Sequence, residues 1–528
     1  MGKYILSVDQ STQGTKGLLF DEHGHLAARA DKSHRQIISK EGWVSHDLKE
    51  ILNNTLEVCR QVIEKAGISK DDVAAMGISN QRETTAAWNR VTGEPVCDAI
   101  VWQCSRAKEI CEEIASKNNI KAETDNAGSS IPEQMSDPAE LVRKRTGIPL
   151  SAYFPAAKMA WILRNVPEAA LMAGSGLTGE KDSAEGGNRL ALGTIDSWLV
   201  YSLCQGHPHK CDYSNAGRTQ LFNIQSLEWD EDLCRIFGIP KESLPEVCMS
   251  DSCFGYTDLG GYLDHPVPVN GVLGDSHGAL LGHGGTLVGS IKATYGTGSS
   301  VMMNVGDKPV FSESGLVSSI AWGLNGKVSY VLEGNLNYTG AVITWLKDDV
   351  QLIRDAAETE KLAREANPLD RTYFVPAFSG LGAPYWDSDA AGMLTGMTRS
   401  TGRKEIVKAC LESIAYQITD LIKLMEKESR LPVAALRTDG GPTGNTYLMQ
   451  FQADISGRKV YVPSIQEFSG LGAALAAGMG SGAWSFDEDN QSADYRICEP
   501  AADPDWKEQH YNGWQEAVQR VLFHNNKA

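Results

Sequence analysis

The sequence predicts an α/β protein built from two related domains that close on one ligand. At 528 residues the chain is long enough for two or more domains with ample core. Residues 4–8 read as a buried strand running into the polar turn Asp9-Gln10-Ser11-Thr12-Gln13-Gly14-Thr15, and apolar character resumes over 16–20. The same device recurs in the second half. There, residues 291–295 run into Gly296-Thr297-Gly298-Ser299-Ser300 and then Val301-Met302-Met303. A turn of glycines and hydroxyls between apolar strands can wrap backbone N–H groups around a phosphate. Ser, Thr and Gly also favour ordinary turns, so two unrelated hairpins are the competing reading.

In chain order, a strand-like stretch at 26–29 completes an opening β-meander. Residues 47–66 form an amphipathic helix with Leu48, Ile51, Leu52, Leu56, Val62 and Ile63 on its apolar face. A strand at 73–79 ends in Asn80-Gln81-Arg82-Glu83-Thr84-Thr85. Adjacent Arg and Glu at a strand end suit a polyhydroxyl ligand, although a surface ion pair is the commoner cause of such a pair. Residues 99–102 form a short strand carrying Trp102, either core or an indole covering the carbon face of a sugar or polyol. The polar stretch 116–138 reads as an exposed insertion and 174–187 as a Gly-rich loop. Tyr153 leads into a helix carrying Lys158 and Trp161. Cys204, His207, His209 and Cys211 match no zinc spacing and read as a surface loop.

A Gly- and Asp-rich link over 256–265 places the domain boundary, giving domains 1–262 and 263–528. Val272-Leu273 then reads as a short strand ending at Gly274-Asp275. A carboxylate leaving a strand end faces the crevice where α/β proteins bind ligands, although alone it would read as a turn or cap. A strand at 327–332 ends at Glu333-Gly334, a helix follows at 339–346, and a long helix at 404–427 looks like core. The strand 436–438 ends in Asp439-Gly440-Gly441-Pro442-Thr443-Gly444-Asn445-Thr446, just before a helix. Helix-end N–H groups and the helix dipole then face that glycine turn, which lacks the Lys of a Walker A loop.

Apolar residues make up 42% and charged residues 22%, ordinary for a soluble globular chain. A net charge of −18 argues against a nucleic-acid partner but not against a nucleotide held locally. Eleven scattered cysteines without a C-x-x-C pair fit reduced thiols. No signal peptide or apolar run of membrane-spanning length is present, so a cytoplasmic protein without a membrane span is expected.

These residues resemble the FGGY carbohydrate kinases, and the glycerol kinase branch in particular, over almost the whole chain. The specific parts include 80–85, 99–104, Gly193-Thr194-Ile195-Asp196-Ser197-Trp198, Tyr213-Ser214-Asn215-Ala216, 153–165, 373–387, 392–412 and 439–450. The resemblance implies two actin-like ATPase (ribonuclease H-like) domains with a catalytic cleft between them. It implies ATP and Mg²⁺, and γ-phosphoryl transfer to a terminal hydroxyl of a small polyol or sugar. By motif match Asp275 is the general base and Asp9 the Mg²⁺ contact. Thr12, Gln13, Lys16, Gly296, Thr297, Gly340, Gly441 and Asn445 face the nucleotide. Arg82, Glu83, Trp102, Tyr153, Asp275, Ser276 and Ser300 line the acceptor pocket. A homodimer is compatible with this reading.

The chain also departs from that branch. Ser276 follows the base where Gln is usual, Ser300 stands where Phe is usual, and Lys16 replaces an Arg. The stretch Gly260-Gly261-Tyr262-Leu263-Asp264-His265 lacks the Arg of the branch's sugar-phosphate regulatory loop. The shorter side chains imply a wider, more polar pocket, so a kinase for a longer polyol or a ketose is the alternative. A catalytically silent sugar-binding protein on the same fold is a remoter one, opposed by the retained Asp9 and Asp275.

Overall fold

The computed structural model describes residues 4–116, 137–174, 188–465, 467–484 and 494–522. The polar insertion and the Gly-rich loop expected near 116–138 and 174–187 lie, but for their end residues, outside the described residues.

Two mixed sheets form the frame. In the first, β1 (Tyr4–Gln10), β2 (Gly14–Phe20) and β3 (Leu26–Ser33) make an antiparallel meander. The register sets Asp9 opposite Lys16, so the first polar turn carries both charges at its base. Strand Val73–Asn80 then pairs with β1 in parallel, and Val267–Gly274 pairs with Val73–Asn80 in parallel. The second sheet repeats the plan. Ile291–Tyr295, Ser299–Gly306, Lys327–Leu336 and Val317–Leu324 are antiparallel neighbours, while Ala435–Asp439 joins Ile291–Tyr295 in parallel. Both hydroxyl turns therefore sit at the first bend of a meander, beside a parallel strand.

The expected link at 256–265 precedes a strand that returns to the first sheet, and the second sheet begins at Ile291. Asp275 consequently leaves the first sheet, beside the strand that ends in Asn80.

Local signals account for the helices that matter here. Asp47 caps helix Leu48–Ala66 by accepting from the Lys49 and Glu50 N–H groups, and Gly67 stops it in the left-handed region. Its Leu48, Ile51, Val58, Val62 and Ile63 bury against the first sheet. Helix Phe468–Ser481, near the chain's end, also packs on the first sheet, and glycines permit the approach. A Cβ on Gly77 would lie 2.5 Å from the Ala473 carbonyl oxygen, and one on Gly271 would lie 2.3 Å from it.

Two expectations change. Glu333 lies inside strand Lys327–Leu336 rather than after its end, because two arginines compensate its buried charge. In the 204–211 stretch only residues 205–207 are exposed; Cys204 and Cys211 are buried, and His209 meets Trp88 edge-on at 5.1 Å. Thiols are small apolar groups and pack inside. Among the described residues no group of three or more His, Cys, Asp and Glu side chains is gathered as a metal cage, and no helix is long and apolar enough to cross a membrane.

Gly77→Ala is expected to lower stability by about 1–3 kcal/mol, because backbone on both sides prevents relaxation. Thermal unfolding measures it, and an unchanged midpoint would mean that the helix can shift outward.

Candidate active site

At the first turn, Asp9 is 6% exposed and accepts from the Ser79 hydroxyl at 3.1 Å. Lys16 Nζ lies 3.6 Å from its other oxygen. Burial pushes the Asp9 carboxyl up to about 6; Lys16 draws it down, while the Asp275 and Glu467 charges push it further up. Thr12 accepts at its hydroxyl from the Trp102 indole N–H at 2.9 Å, so this turn touches the aromatic residues of the cleft. Gln13 is exposed.

Asp275 opens helix Asp275–Gly282 directly after a buried strand. Its side chain is 37% exposed, and its Oδ1 lies 3.2 Å from Arg82 Nε. The same oxygen accepts from the Ser276 N–H at 2.6 Å. One residue earlier the Gly274 N–H donates to the Ser214 hydroxyl at 2.9 Å, which fixes the strand end. A carboxylate placed this way is anchored at its backbone while more than a third of its side chain stays exposed.

Beneath it lies a buried charge cluster. Arg82 donates both terminal nitrogens to the two Glu333 oxygens, at 3.0 and 2.9 Å. Arg218 donates to Glu333 at 2.8 Å and to Glu83 at 2.6 Å. Burial alone would raise the Glu333 carboxyl, but Arg82 and Arg218 hold it well below the usual carboxylate range. Glu83 adopts φ 61°, a region a side chain of its size rarely enters, and its ion pair with Arg218 anchors it there. Ser300 donates to Glu333 at 3.0 Å from a partly exposed position. Arg218 and Glu333 were not among the expected site residues. Glu333 was visible only as a strand end, and Arg218 lies two residues past the Tyr213-Ser214-Asn215-Ala216 motif.

The aromatic wall is Trp102 and Tyr153, with ring centroids 5.4 Å apart, and Tyr153 in turn meets Phe154 at 5.1 Å. Arg218 stacks over Phe154 at 5.2 Å. Lys158 donates to the carbonyls of Ala152, Tyr153 and Phe154, which fixes the bend before the helix. Burial pushes its ammonium down to about 7. His277 and Met302, which could refill space left by short side chains, are fully buried.

Across the cleft, Gly296 and Thr297 form the second turn, with Thr297 exposed. Helix Gly340–Asp348 docks on it: the Gly340 and Ala341 N–H groups donate to the Gly296 and Thr297 carbonyls, both at 2.9 Å. A Cβ on Gly340 would lie 2.4 Å from the Gly296 oxygen, so only glycine permits this contact. A cavity of about 560 Å³ opens beside it, lined by Gly340, Ile343, Gly441, Gly444, Asn445 and Leu448 among others. Nothing lies within 4 Å of a Cβ built on Gly441 or Gly444, so backbone faces this space. The Asn445 amide caps the following helix through the Leu448 N–H and donates to Thr359. The structure thus gathers Asp9, Lys16, Arg82, Trp102 and Asp275 on one side, and Gly296, Gly340, Gly441 and Asn445 on the other.

Comparison with known proteins matches this arrangement. The N-terminal domain of the FGGY family of carbohydrate kinases matches residues 4–137 and 123–282, and the C-terminal domain matches 291–481. Glycerol kinase 2 of Thermotoga maritima is 44% identical over 525 residues, covering 98% of this chain and 99% of that protein. A glycerol kinase of Caldanaerobacter subterraneus is 42% identical, covering 99% of both. The crystal structure of Plasmodium falciparum glycerol kinase with ADP superposes with a TM-score of 0.86 at 33% identity, covering 98% of each chain. A xylulose kinase from Lactobacillus acidophilus shares the fold, with a TM-score of 0.80 at 21% identity over 99% of this chain and 98% of that one. With both family domains matched along the chain and full-length relatives at 42–44% identity, this chain belongs to the FGGY family of carbohydrate kinases.

Proposed function

We propose that this kinase transfers the γ-phosphoryl of ATP to a terminal hydroxyl of glycerol or a glycerol-like polyol. The observation that carries the reading is Asp275, half-open at a strand end with Arg82 against one oxygen and the Trp102–Tyr153 wall beside the same cleft. In this reading Arg82 and Glu83 bind adjacent hydroxyls, and the aromatic rings cover the carbon chain. The reacting hydroxyl points at Asp275. Phosphoryl transfer through a loose transition state needs alignment and charge neutralisation more than covalent chemistry. Asp275 need only accept a proton late, so a carboxylate without special activation suffices.

The nucleotide lies along the backbone of Gly441 and Gly444, with its phosphates between the two hydroxyl turns. Thr12, Gln13, Lys16, Gly296 and Thr297 approach them. Mg²⁺ takes hard oxygens, usually one or two carboxylates plus phosphates and water. The donors present fit that habit: Asp9 offers a carboxylate with Asp275 near enough to raise its pKa, while Glu467 is already engaged by Lys16 and Arg29. Mg²⁺ bound there would neutralise phosphate charge. The eleven cysteines are all free thiols, which fits a reducing cytoplasm.

A second reading concerns the acceptor's length. Ser300 and Ser276 are short, hydroxylated and partly exposed, and Ser300 is already bonded to the Glu333 cluster. His277 and Met302 are fully buried, and in this reading the cleft beside the two serines takes one or two further hydroxylated carbons.

Asp275→Asn is expected to lower kcat by about 10²–10⁴ while leaving ATP binding intact. Steady-state kinetics with a nucleotide titration checks this, and near-normal turnover in the folded variant would remove Asp275 from the mechanism. For the acceptor, kcat/KM over glycerol, erythritol, xylitol, ribitol, xylulose and ribulose separates the two readings. A four- or five-carbon acceptor is expected to equal or exceed glycerol, and Ser300→Phe to shift preference toward glycerol by about 10–200-fold. A tenfold or greater preference for glycerol over all the others in the unaltered enzyme would sink the wider pocket and leave the first reading standing.

A further inference from the structure

We propose that Glu467 is a positioning residue for phosphoryl transfer. It holds the Lys16 ammonium over the first phosphate turn and out of a closed ion pair with Asp9. The proposal rests on the reading of Lys16 as a phosphate contact.

Glu467 immediately precedes helix Phe468–Ser481, more than four hundred residues beyond the turn it serves. That helix is locked onto the first sheet. The Ser7 hydroxyl donates to the Gly470 carbonyl at 2.8 Å, and a Cβ on Gly470 would come within 2.2 Å of Leu18. So close a seat leaves Glu467 little freedom. Its side chain is 5% exposed and lies against β2 and β3. One oxygen accepts from Lys16 Nζ at 2.8 Å, and the other pairs with Arg29 Nη1. Asp31 holds Arg29 in turn, through its Nη2 at 2.6 Å.

The charges then explain the geometry. Lys16 lies between two carboxylates, and the distances rank them: 2.8 Å to Glu467 and 3.6 Å to Asp9. A lysine ammonium is a point charge on a flexible stem, with no planar fork to fix its direction. Something rigid must aim it, and Glu467 is buried, charged and fixed by a helix end. Without that charge Asp9, 3.6 Å away, is the carboxylate in ion-pair range of Lys16, since Asp31 on the neighbouring strand is engaged by Arg29. The ammonium would fall onto Asp9, masking the carboxylate and leaving the turn that faces the phosphates.

The test compares Glu467→Gln, Lys16→Met and the double variant, measuring kcat, KM for the acceptor and for ATP, and ADP affinity by calorimetry. Glu467→Gln is expected to lower kcat about 10–100-fold, the scale of a misplaced group, with acceptor KM within about twofold. Lys16→Met is expected to lose at least as much, and the double variant no more than Lys16→Met alone, because Glu467 acts through Lys16. Losses that multiply in the double variant, or a Glu467→Gln enzyme with full kcat, overturn the proposal while leaving the role of Lys16 intact. Full activity in Lys16→Met overturns both. Should Glu467→Gln fail to fold, Glu467→Asp keeps the charge on a shorter stem. It is then expected to lower kcat at unchanged acceptor KM, and an unchanged kcat would overturn the proposal.

Discussion

The cleft depends on one shared carboxylate. Glu333, inside a strand of the second sheet, takes Arg82 from the end of a first-sheet strand and Arg218 from the turn after the short helix Tyr213–Ala216. Glu333 and Arg218 are almost completely removed from solvent, and Arg82 nearly so. Losing one partner from such a cluster typically costs about 3–5 kcal/mol, because an uncompensated buried charge remains. The cluster is therefore weak as a source of stability and strong as a constraint on geometry. Arg82 can reach Asp275 only where Glu333 holds its other face, and Glu83 keeps its unusual backbone angle only where Arg218 meets it. The charge cluster beneath Asp275 is thus assembled by both sheets and belongs to neither alone.

The two sheets solve the same problem twice. Each begins with an antiparallel meander whose first bend carries hydroxyls, then adds parallel strands that end at the cleft. Open α/β sheets bind ligands at their strand ends, and placing two such ends face to face makes a site for two reactants. Chain order does not respect the division. Helix Phe468–Ser481 follows strands of the second sheet yet lies on the first, where Gly77, Gly271 and Gly470 admit its backbone. The first sheet is incomplete without the chain's last hundred residues, so the halves share a core as well as a cleft.

This distinction sets what could be read from the sequence. Local patterns were legible. The opening meander, the capped helix after Asp47, the strand before Asp275 and the glycine turn before Asn445 all follow from periodicity and turn chemistry over a few residues. The side chains at the strand ends were legible for the same reason. What stayed hidden is long-range pairing. Nothing near Glu333 signals that its partners are 251 and 115 residues away, and an acid in mid-strand argues against burial until those arginines appear. Glu467 was hidden likewise, because its partner Lys16 lies 451 residues earlier. The return of Val267–Gly274 to the first sheet follows from pairing with Val73–Asn80, which no local composition announces.

An acidic protein that handles a polyanion must do so locally, because a net charge of −18 repels phosphate at any distance salt does not screen. The basic side chains at this cleft offer less relief than their number suggests. Lys16 is held by Glu467 and Asp9, Arg82 by Glu333 and Asp275, and Arg218 by Glu83 and Glu333. Each cation already has carboxylate partners, and the five carboxylates outnumber the three cations, so the site is net negative before any ligand arrives. Attraction then rests on the backbone N–H groups of the two hydroxyl turns, on the glycine turn with open space above Gly441 and Gly444, and on the cation that accompanies the phosphates. Such dipoles act over a few ångströms and need the phosphates in place to act at all. The paired cations set direction rather than affinity, and this is why their carboxylate partners matter as much as the cations themselves.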